Sequence, residues 1–133
     1  MFNKFLKNNG DYLYAIFRIL VGFLFFGHGA QKTFGWFGAP AVNISSLVGA
    51  AGIIELAVGL TLLLGLYTRL FALLGAAEMC IAYVIAHWKA IGFSPFANNG
   101  EPALMFLAAF LAIFVYGGKT WMIEKLFSKK EYF

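Results

Sequence analysis

Four long apolar segments run through the chain, separated by short polar breaks, and each is long enough for a helix that crosses a bilayer. Their approximate bounds are residues 12–29, 47–67, 70–88 and 101–118. A membrane-spanning helix needs roughly 20 such residues. Ser45 and Ser46 can cap the start of the second segment, and Pro102 suits the first turn of the fourth. The pattern predicts an all-α fold, an integral membrane four-helix bundle with up-down-up-down topology and short tails.

The composition supports this prediction. The chain is 62% hydrophobic and only 12% charged, with a mean hydropathy of +0.80, whereas an ordinary soluble domain has about 25% charged residues. Its 133 residues leave no room for a second domain, so we predict one transmembrane domain over residues 1–133 in a lipid bilayer. The basic residues that give the net charge of +4 lie mainly at the chain ends, which does not indicate nucleic-acid binding. Cys80 is the only cysteine, which excludes an intrachain disulfide.

The distribution of basic residues predicts the orientation. Seven lysines and arginines lie on the side of the termini and two, Lys32 and Lys89, on the other, so we expect a multi-pass protein of the cell (plasma) membrane with both termini cytoplasmic. Residues 119–133 are predicted to form a basic amphipathic tail on the cytoplasmic surface. The two longer loops, 32–45 and 89–99, then face outward. Their aromatic residues fit either a cover over the bundle or a simple interfacial belt, and the belt needs no ligand.

Three charged residues, Arg18, Glu55 and Glu78, lie inside the apolar segments. Each costs about 2.5 to 3.5 kcal/mol at a bilayer centre, so each needs a partner, a wet cavity or a function. At 1.5 Å per residue they lie roughly 9, 16 to 18 and 12 Å from the cytoplasmic ends of their helices. We therefore predict one proton and ion-pair cluster, in which Arg18 pairs with Glu55 while Glu78 exchanges a proton. The alternative is a buried ion pair that only fixes the helix register.

Helical phase, at 100° per residue, predicts the face of each helix that points inward. From the first to the fourth helix, the predicted inward faces are Arg18, Gly22, Phe25, Gly29 and Lys32; Gly49, Gly52, Glu55 and Gly59; Gly75, Glu78, Ala82 and Ile85; and Glu101, Met105, Ala108 and Ala112. Small residues on the second helix allow a neighbouring helix to approach closely. We expect each charge to mark the inner side of its helix.

A second polar group lies near the predicted outer face, and we assign His28, Lys32 and Glu101 as candidate ligand-binding residues. Capping of a helix start by its carboxylate also explains Glu101. His87 is nine residues from Glu78 and therefore about 180° away from it, which argues against a haem held by His28 and His87. The sequence has no paired cysteines, no H-x-x-x-H and no three-ligand metal motif. We assign no catalytic residue.

Three stretches carry a resemblance to a known family: FRILVGFLFFGHGAQK, IIELAVGLTLLLGLYTR and the NNGE that opens the fourth segment. Together they resemble the DoxX family of small four-helix membrane proteins, over residues 12–118. The most specific part is the order of Arg18, Lys32, Glu55, Arg69 and Glu101. The resemblance implies association with redox systems, including a membrane subunit of an archaeal thiosulfate:quinone oxidoreductase that passes electrons to the quinone pool. Glu78 is not carried over from the family pattern.

We predict from these observations a redox subunit that binds quinone, or a similar small apolar electron acceptor, and receives electrons from a soluble or membrane oxidoreductase partner. His28 and Lys32 would donate hydrogen bonds to the quinone, and the carboxylates would supply protons. One alternative is a non-enzymatic binder or transporter of a small solute, in which Arg18 or Lys32 holds an anion. The other is an assembly subunit that anchors an oxidoreductase through residues 119–133. The sequence does not decide whether the protein is an enzyme, and a homo-oligomer stays open.

Overall fold

A computed structural model describes residues 2–128 of the chain, and within that range the fold is helical without strands. The helices are α1 (Phe2–Phe34), α2 (Leu47–Leu64), α3 (Thr68–Ala82), α4 (Lys89–Ile91), α5 (Glu101–Tyr116) and α6 (Glu124–Phe127). A short 3-10 turn, Trp36–Gly38, follows α1, and a π-helical turn, Tyr83–Trp88, joins α3 to α4. The predicted all-α class is confirmed.

Three helical stretches are long and apolar enough to cross a membrane: Asn3–Phe34, Leu47–Leu64 and Thr68–Ile91. The fourth apolar helix, α5, is shorter, with 16 residues. Only part of the predicted tail falls within the described residues, because 129–133 lie outside them. Residues Glu124–Phe127 of that tail are helical, and the buried side chains of Met122 and Glu124 hold this part of the chain against the bundle.

Helices α1 and α2 pack with their backbones in contact through glycines. A Cβ added to Gly59 would lie 2.4 Å from the backbone nitrogen of Phe26, and one added to Gly29 would lie 2.6 Å from that of Leu56. Gly22 faces Gly59, and Gly29 faces Gly52, so the two helices run antiparallel. The predicted glycine-rich inner face of the second helix is confirmed, since Gly49, Gly52, Glu55 and Gly59 are all buried.

We expect Gly59→Val to lower the free energy of unfolding by about 1 to 3 kcal/mol, because the new side chain has to separate two backbones already in contact. Thermal unfolding in detergent measures the change. Gly10→Ala is the matched control on α1, since its added Cβ meets nothing within 4 Å and alanine is the better helix former. A Gly59→Val protein as stable as the native one would contradict this account of the interface.

The remaining core lies where α3 packs against α5. The ring of Phe110 lies against Gly75, whose added Cβ would be 2.8 Å from the ring. The buried face of α5 consists of Ala103, Phe110 and Ile113, so the predicted inner face from Glu101 to Ala112 is wrong. Glu101 lies in the first turn of α5, where free backbone N–H groups stabilise a carboxylate whichever way it faces. Its charge therefore carries no information about helix phase.

The four apolar helices form a ring of contacts with one weak joint. Helix α1 packs along α2, α2 packs on α3, and α3 packs along α5, whereas α1 and α5 have far fewer contacts. The ring of Phe25 reaches Phe110 at 4.7 Å between centroids, and that of His28 reaches Phe106 at 5.6 Å. We call this joint, lined by these four residues, the α1–α5 seam.

Candidate functional site

An ion pair between Lys32 and Glu55 joins the end of α1 to the middle of α2. Glu55 is only 2% exposed, and one of its oxygens accepts a hydrogen bond from the Lys32 ammonium. The other oxygen has no hydrogen-bond partner in the described part of the chain. Gly52 lies beside this pair, with its added Cβ only 2.9 Å from the Cβ of Lys32. The close crossing of the two helices therefore brings Lys32 to Glu55.

A second carboxyl, that of Glu78, lies in the same region on α3. Glu78 is 9% exposed, and neither of its oxygens has a hydrogen-bond partner among residues 2–128. Both Glu55 and Lys32 interact with it electrostatically. With both carboxyls ionised, two negative charges would share one ammonium in an apolar bundle, which is costly. The site therefore has, at Glu78, a buried carboxyl that can hold a proton.

A cavity of about 150 Å³ opens at the ion pair. It is lined by Phe25, His28, Lys32, Glu55, Met79, Ala82, His87, Pro102, Ala103 and Phe106. A cavity of about this size holds a benzene-sized ring in an engineered protein. The site thus combines space for one ring with an ammonium, a carboxylate and two imidazoles. Among the predicted ligand-binding residues, His28 and Lys32 line it, whereas Glu101 is exposed and does not.

His87 lines this cavity, so the prediction that it points away from the inner face is wrong. The prediction assumed an α-helix from Glu78 to His87, but the chain passes through the π-helical turn Tyr83–Trp88. A π-helical turn bonds i to i+5 and turns less per residue, which brings His87 inward. The same change leaves Ile85, a predicted inner residue, 44% exposed. Nδ1 of His87 lies 2.8 Å from the carbonyl oxygen of Asn98 and donates to it, since a carbonyl only accepts.

The chain between α4 and α5 meets the cavity-lining His87, and Asn98 holds this stretch in place. Asn98 is 1% exposed; its amide donates to the carbonyl of Gly92 at 2.6 Å and its side-chain oxygen accepts from the backbone nitrogen of Gly100 at 2.7 Å. A Cβ on Gly100 would lie 2.7 Å from that oxygen. The sequence analysis interpreted this stretch as an outward-facing loop and a helix start, and it missed that Asn98 fixes His87.

Arg18 lies at the other end of the bundle, and the predicted pairing of Arg18 with Glu55 is wrong. The buried guanidinium donates to the carbonyl oxygens of Leu62 at 2.5 Å, Thr120 at 3.1 Å and Trp121 at 2.9 Å. Leu62 is seven residues beyond Glu55, roughly 10 Å along α2. Because α1 and α2 run antiparallel, Lys32, and not Arg18, comes level with Glu55. Among the described residues, no three His, Cys, Asp or Glu side chains are grouped so that they could hold a metal ion.

Comparison with known proteins gives a family and one similar chain. The sequence pattern that defines the DoxX family matches residues 13–88, a range that includes Lys32, Glu55 and Glu78 but ends before Asn98. An uncharacterized protein of Haemophilus influenzae is 35% identical over 132 residues, which are 94% of this chain and 98% of that protein. No solved structure matches the chain.

Proposed function

The chain belongs to the DoxX family of small membrane proteins, and we propose that it binds a quinone head group in the cavity beside Lys32 and Glu55, as the membrane subunit of a redox system. One observation carries the proposal: a ring-sized cavity in an apolar bundle is lined by four polar side chains, those of His28, Lys32, Glu55 and His87. Ionisable groups inside a membrane bundle favour a functional site, because burying them without a role is costly.

The cavity fits a quinone head group in size and in chemistry. Its volume of about 150 Å³ is that of a pocket for a single six-membered ring. Carbonyl oxygens of a quinone need donors, and the Lys32 ammonium has three N–H bonds, of which Glu55 takes one. His28 supplies a second donor at the opening. Phe25, Met79 and Phe106 complete apolar walls for the ring faces.

Glu78 provides the proton in this proposal. When bound, a quinone accepts two electrons and two protons to become a quinol, and an oxidoreductase partner supplies the electrons. Glu78 holds a proton at its carboxyl while Glu55 remains ionised against Lys32, which leaves the site with balanced charge. Releasing that proton toward the Lys32–Glu55 pair leaves a carboxylate that Lys32 stabilises electrostatically. Glu78 then takes up a second proton from water and passes it on in the same way, which completes the two that the quinol needs. The chain's own contribution is therefore binding, orientation and proton supply.

The placement in the membrane is also part of the proposal. The excess of basic residues on the side of the termini favours both termini in the cytoplasm of a plasma-membrane protein, with the four apolar helices crossing in alternating directions. The cavity then opens toward the outer half of the bilayer. Trp36, Phe37, Phe93 and Phe96, each at least half exposed, lie at that end and suit the interfacial zone.

We expect short-chain quinones to bind the purified protein saturably, and we expect His28→Phe to weaken that binding between about twofold and tenfold. The change removes a hydrogen-bond donor, worth about 0.5 to 1.5 kcal/mol, but keeps a ring of similar shape against Phe106. Isothermal titration in detergent measures the dissociation constants.

The matched control for this experiment is Glu101→Gln, which removes a charge from an exposed position outside the cavity lining and should leave binding unchanged. Solvent extracts of protein purified under mild conditions should also contain quinone. The absence of saturable binding, together with extracts free of quinone, would count against the proposal.

The structure disfavours one of the two alternative functions and is compatible with the other. Transport of an anion held by Arg18 loses support, because the guanidinium already donates to three carbonyls. Membrane anchoring of a partner keeps one favourable observation, since Leu126 and Phe127 on α6 are 79% and 81% exposed. Pull-down of partner proteins with Leu126 and Phe127 intact or replaced by serine tests that role, which is compatible with the redox proposal.

A further inference from the structure

A second pocket lies next to the cavity, on the outer surface of α1. We propose that this groove holds the hydrocarbon tail of the ligand whose head occupies the cavity, and that His28 stands at the passage between the two. The inference rests on the function proposed above, because it presumes a ligand with a polar head and an apolar tail. It adds a binding site and an entry route.

The groove has the size and surface for a chain of methylene groups. Its volume is about 370 Å³, more than twice that of the cavity. Phe23, Gly27, His28 and Gln31 of α1 form its floor, and Trp36 and Phe37 of the following 3-10 turn form its wall. Apart from His28 and Gln31, the lining side chains are apolar. An apolar tail is the complementary occupant.

The backbone is arranged to keep the groove open. Gly27 contributes no side chain to the floor, and a Cβ added there would approach only the ring of Phe37, at 4.0 Å. Phe37 adopts φ 60°, a left-handed conformation that costs a non-glycine residue of order 1 to 3 kcal/mol. Gly35, with φ 68°, begins the turn. The strained turn holds Trp36 and Phe37 out from α1 with the rings edge to face, 6.2 Å apart, and so builds the wall.

His28 connects the groove to the cavity. It is the one residue that lines both pockets, within the part of the chain that the structure describes. Its ring also forms the α1–α5 seam with Phe106, the weakest joint between the apolar helices. In this proposal the head group enters between the helices at this point, by movement of the His28 and Phe106 rings, while its tail remains against the outside of α1. A free acyl chain of the bilayer could fill the groove, but the shared residue favours a single ligand that spans both pockets.

The test compares two benzoquinones that carry the same ring, one without a tail and one with a ten-carbon alkyl tail. In Gly27→Leu the new side chain fills the groove floor, so we expect the dissociation constant for the tailed compound to rise about tenfold. The constant for the tailless compound should stay within about twofold, since Gly27 does not line the cavity. Trp36→Ala, which removes one of the two rings of the wall and lies outside α1, should weaken binding of the tailed compound in the same selective way.

Gly10→Leu on the same helix is the control, because Gly10 has nothing within 4 Å and is remote from both pockets in sequence. The ratio of dissociation constants between a variant and the native protein is independent of how much of the tailed compound partitions into detergent. The midpoint of thermal unfolding shows whether each variant is folded. If the native protein binds neither compound, the proposed function fails. If the tailless compound binds but Gly27→Leu and Trp36→Ala bind the tailed one as the native protein does, only the tail site is overturned, and the groove holds bilayer lipid.

Discussion

Replacing Lys32 with methionine is expected to lower the free energy of unfolding by about 3 kcal/mol, the lower end of the range for removing one partner of a buried ion pair, because the Lys32 side chain is 30% exposed. The substitution leaves Glu55, which is 2% exposed, without its ammonium. The buried carboxylate then has to take up a proton or draw water into the bundle. Unfolding followed by circular dichroism, on heating or with increasing denaturing detergent, measures the loss.

A second substitution separates the charge effect from lost packing. Glu55→Gln removes the uncompensated charge, so the Lys32→Met, Glu55→Gln double variant should recover most of the stability lost by Lys32→Met alone. Quinone binding should stay weak in the double variant, because the ammonium donor is absent from both. A double variant no more stable than the single one would show that the ion pair does not dominate this part of the bundle.

Arg18→Met is expected to cost at least about 4 kcal/mol and to release the segment from Gly117 to Glu124. Three carbonyl groups lose a charged donor together, and each such hydrogen bond contributes about 1.5 to 3 kcal/mol. Arg18→Lys should rescue little, because a single ammonium does not reproduce the planar fork of five donors. Hydrogen exchange measures the released segment, and an unfolding titration measures the stability.

Arg69 offers the comparison for this experiment. Its guanidinium also donates to two backbone carbonyls, those of Phe114 and Val115, but these hydrogen bonds are exposed. We expect Arg69→Met to cost about 1 kcal/mol or less. If Arg18→Met and Arg69→Met lowered the free energy of unfolding equally, burial of Arg18 would not increase the contribution of its hydrogen bonds to stability.

The inward faces of α1 and α2 could be predicted from the sequence, because the glycines and charges there repeat at the spacing of a straight helix. The pairing of charges could not. The pairing depends on the axial register of α1 against α2. Depth was counted from the ends of the apolar segments, and these do not give the register, because α1 begins at Phe2, well before its apolar segment. The matched glycines, Gly22 with Gly59 and Gly29 with Gly52, were the available signal for the true register.

The position of His87 shows a different limit. Residue spacing predicts which way a side chain points only while the number of residues per helical turn stays constant. The π-helical turn Tyr83–Trp88 changes that number, and it contains no proline or glycine that would indicate the change from the sequence. Five of the residues that line the cavity come from α1, α2 and α5 and are polar or aromatic: Phe25, His28, Lys32, Glu55 and Phe106. The imidazole that completes the lining therefore depends on an irregularity that side-chain pattern alone does not reveal.

The three carbonyl groups around Arg18 come from distant parts of the chain, and this has a consequence for synthesis. Arg18 is translated 102 residues before Thr120, so the first helix enters the bilayer with its cation uncompensated by the residues that finally surround it. Until Thr120 and Trp121 have been synthesised, the first helix is expected to lie closer to the membrane surface, with the guanidinium near the lipid phosphates. The arrival of these two carbonyl groups then lets Arg18 move to its final depth.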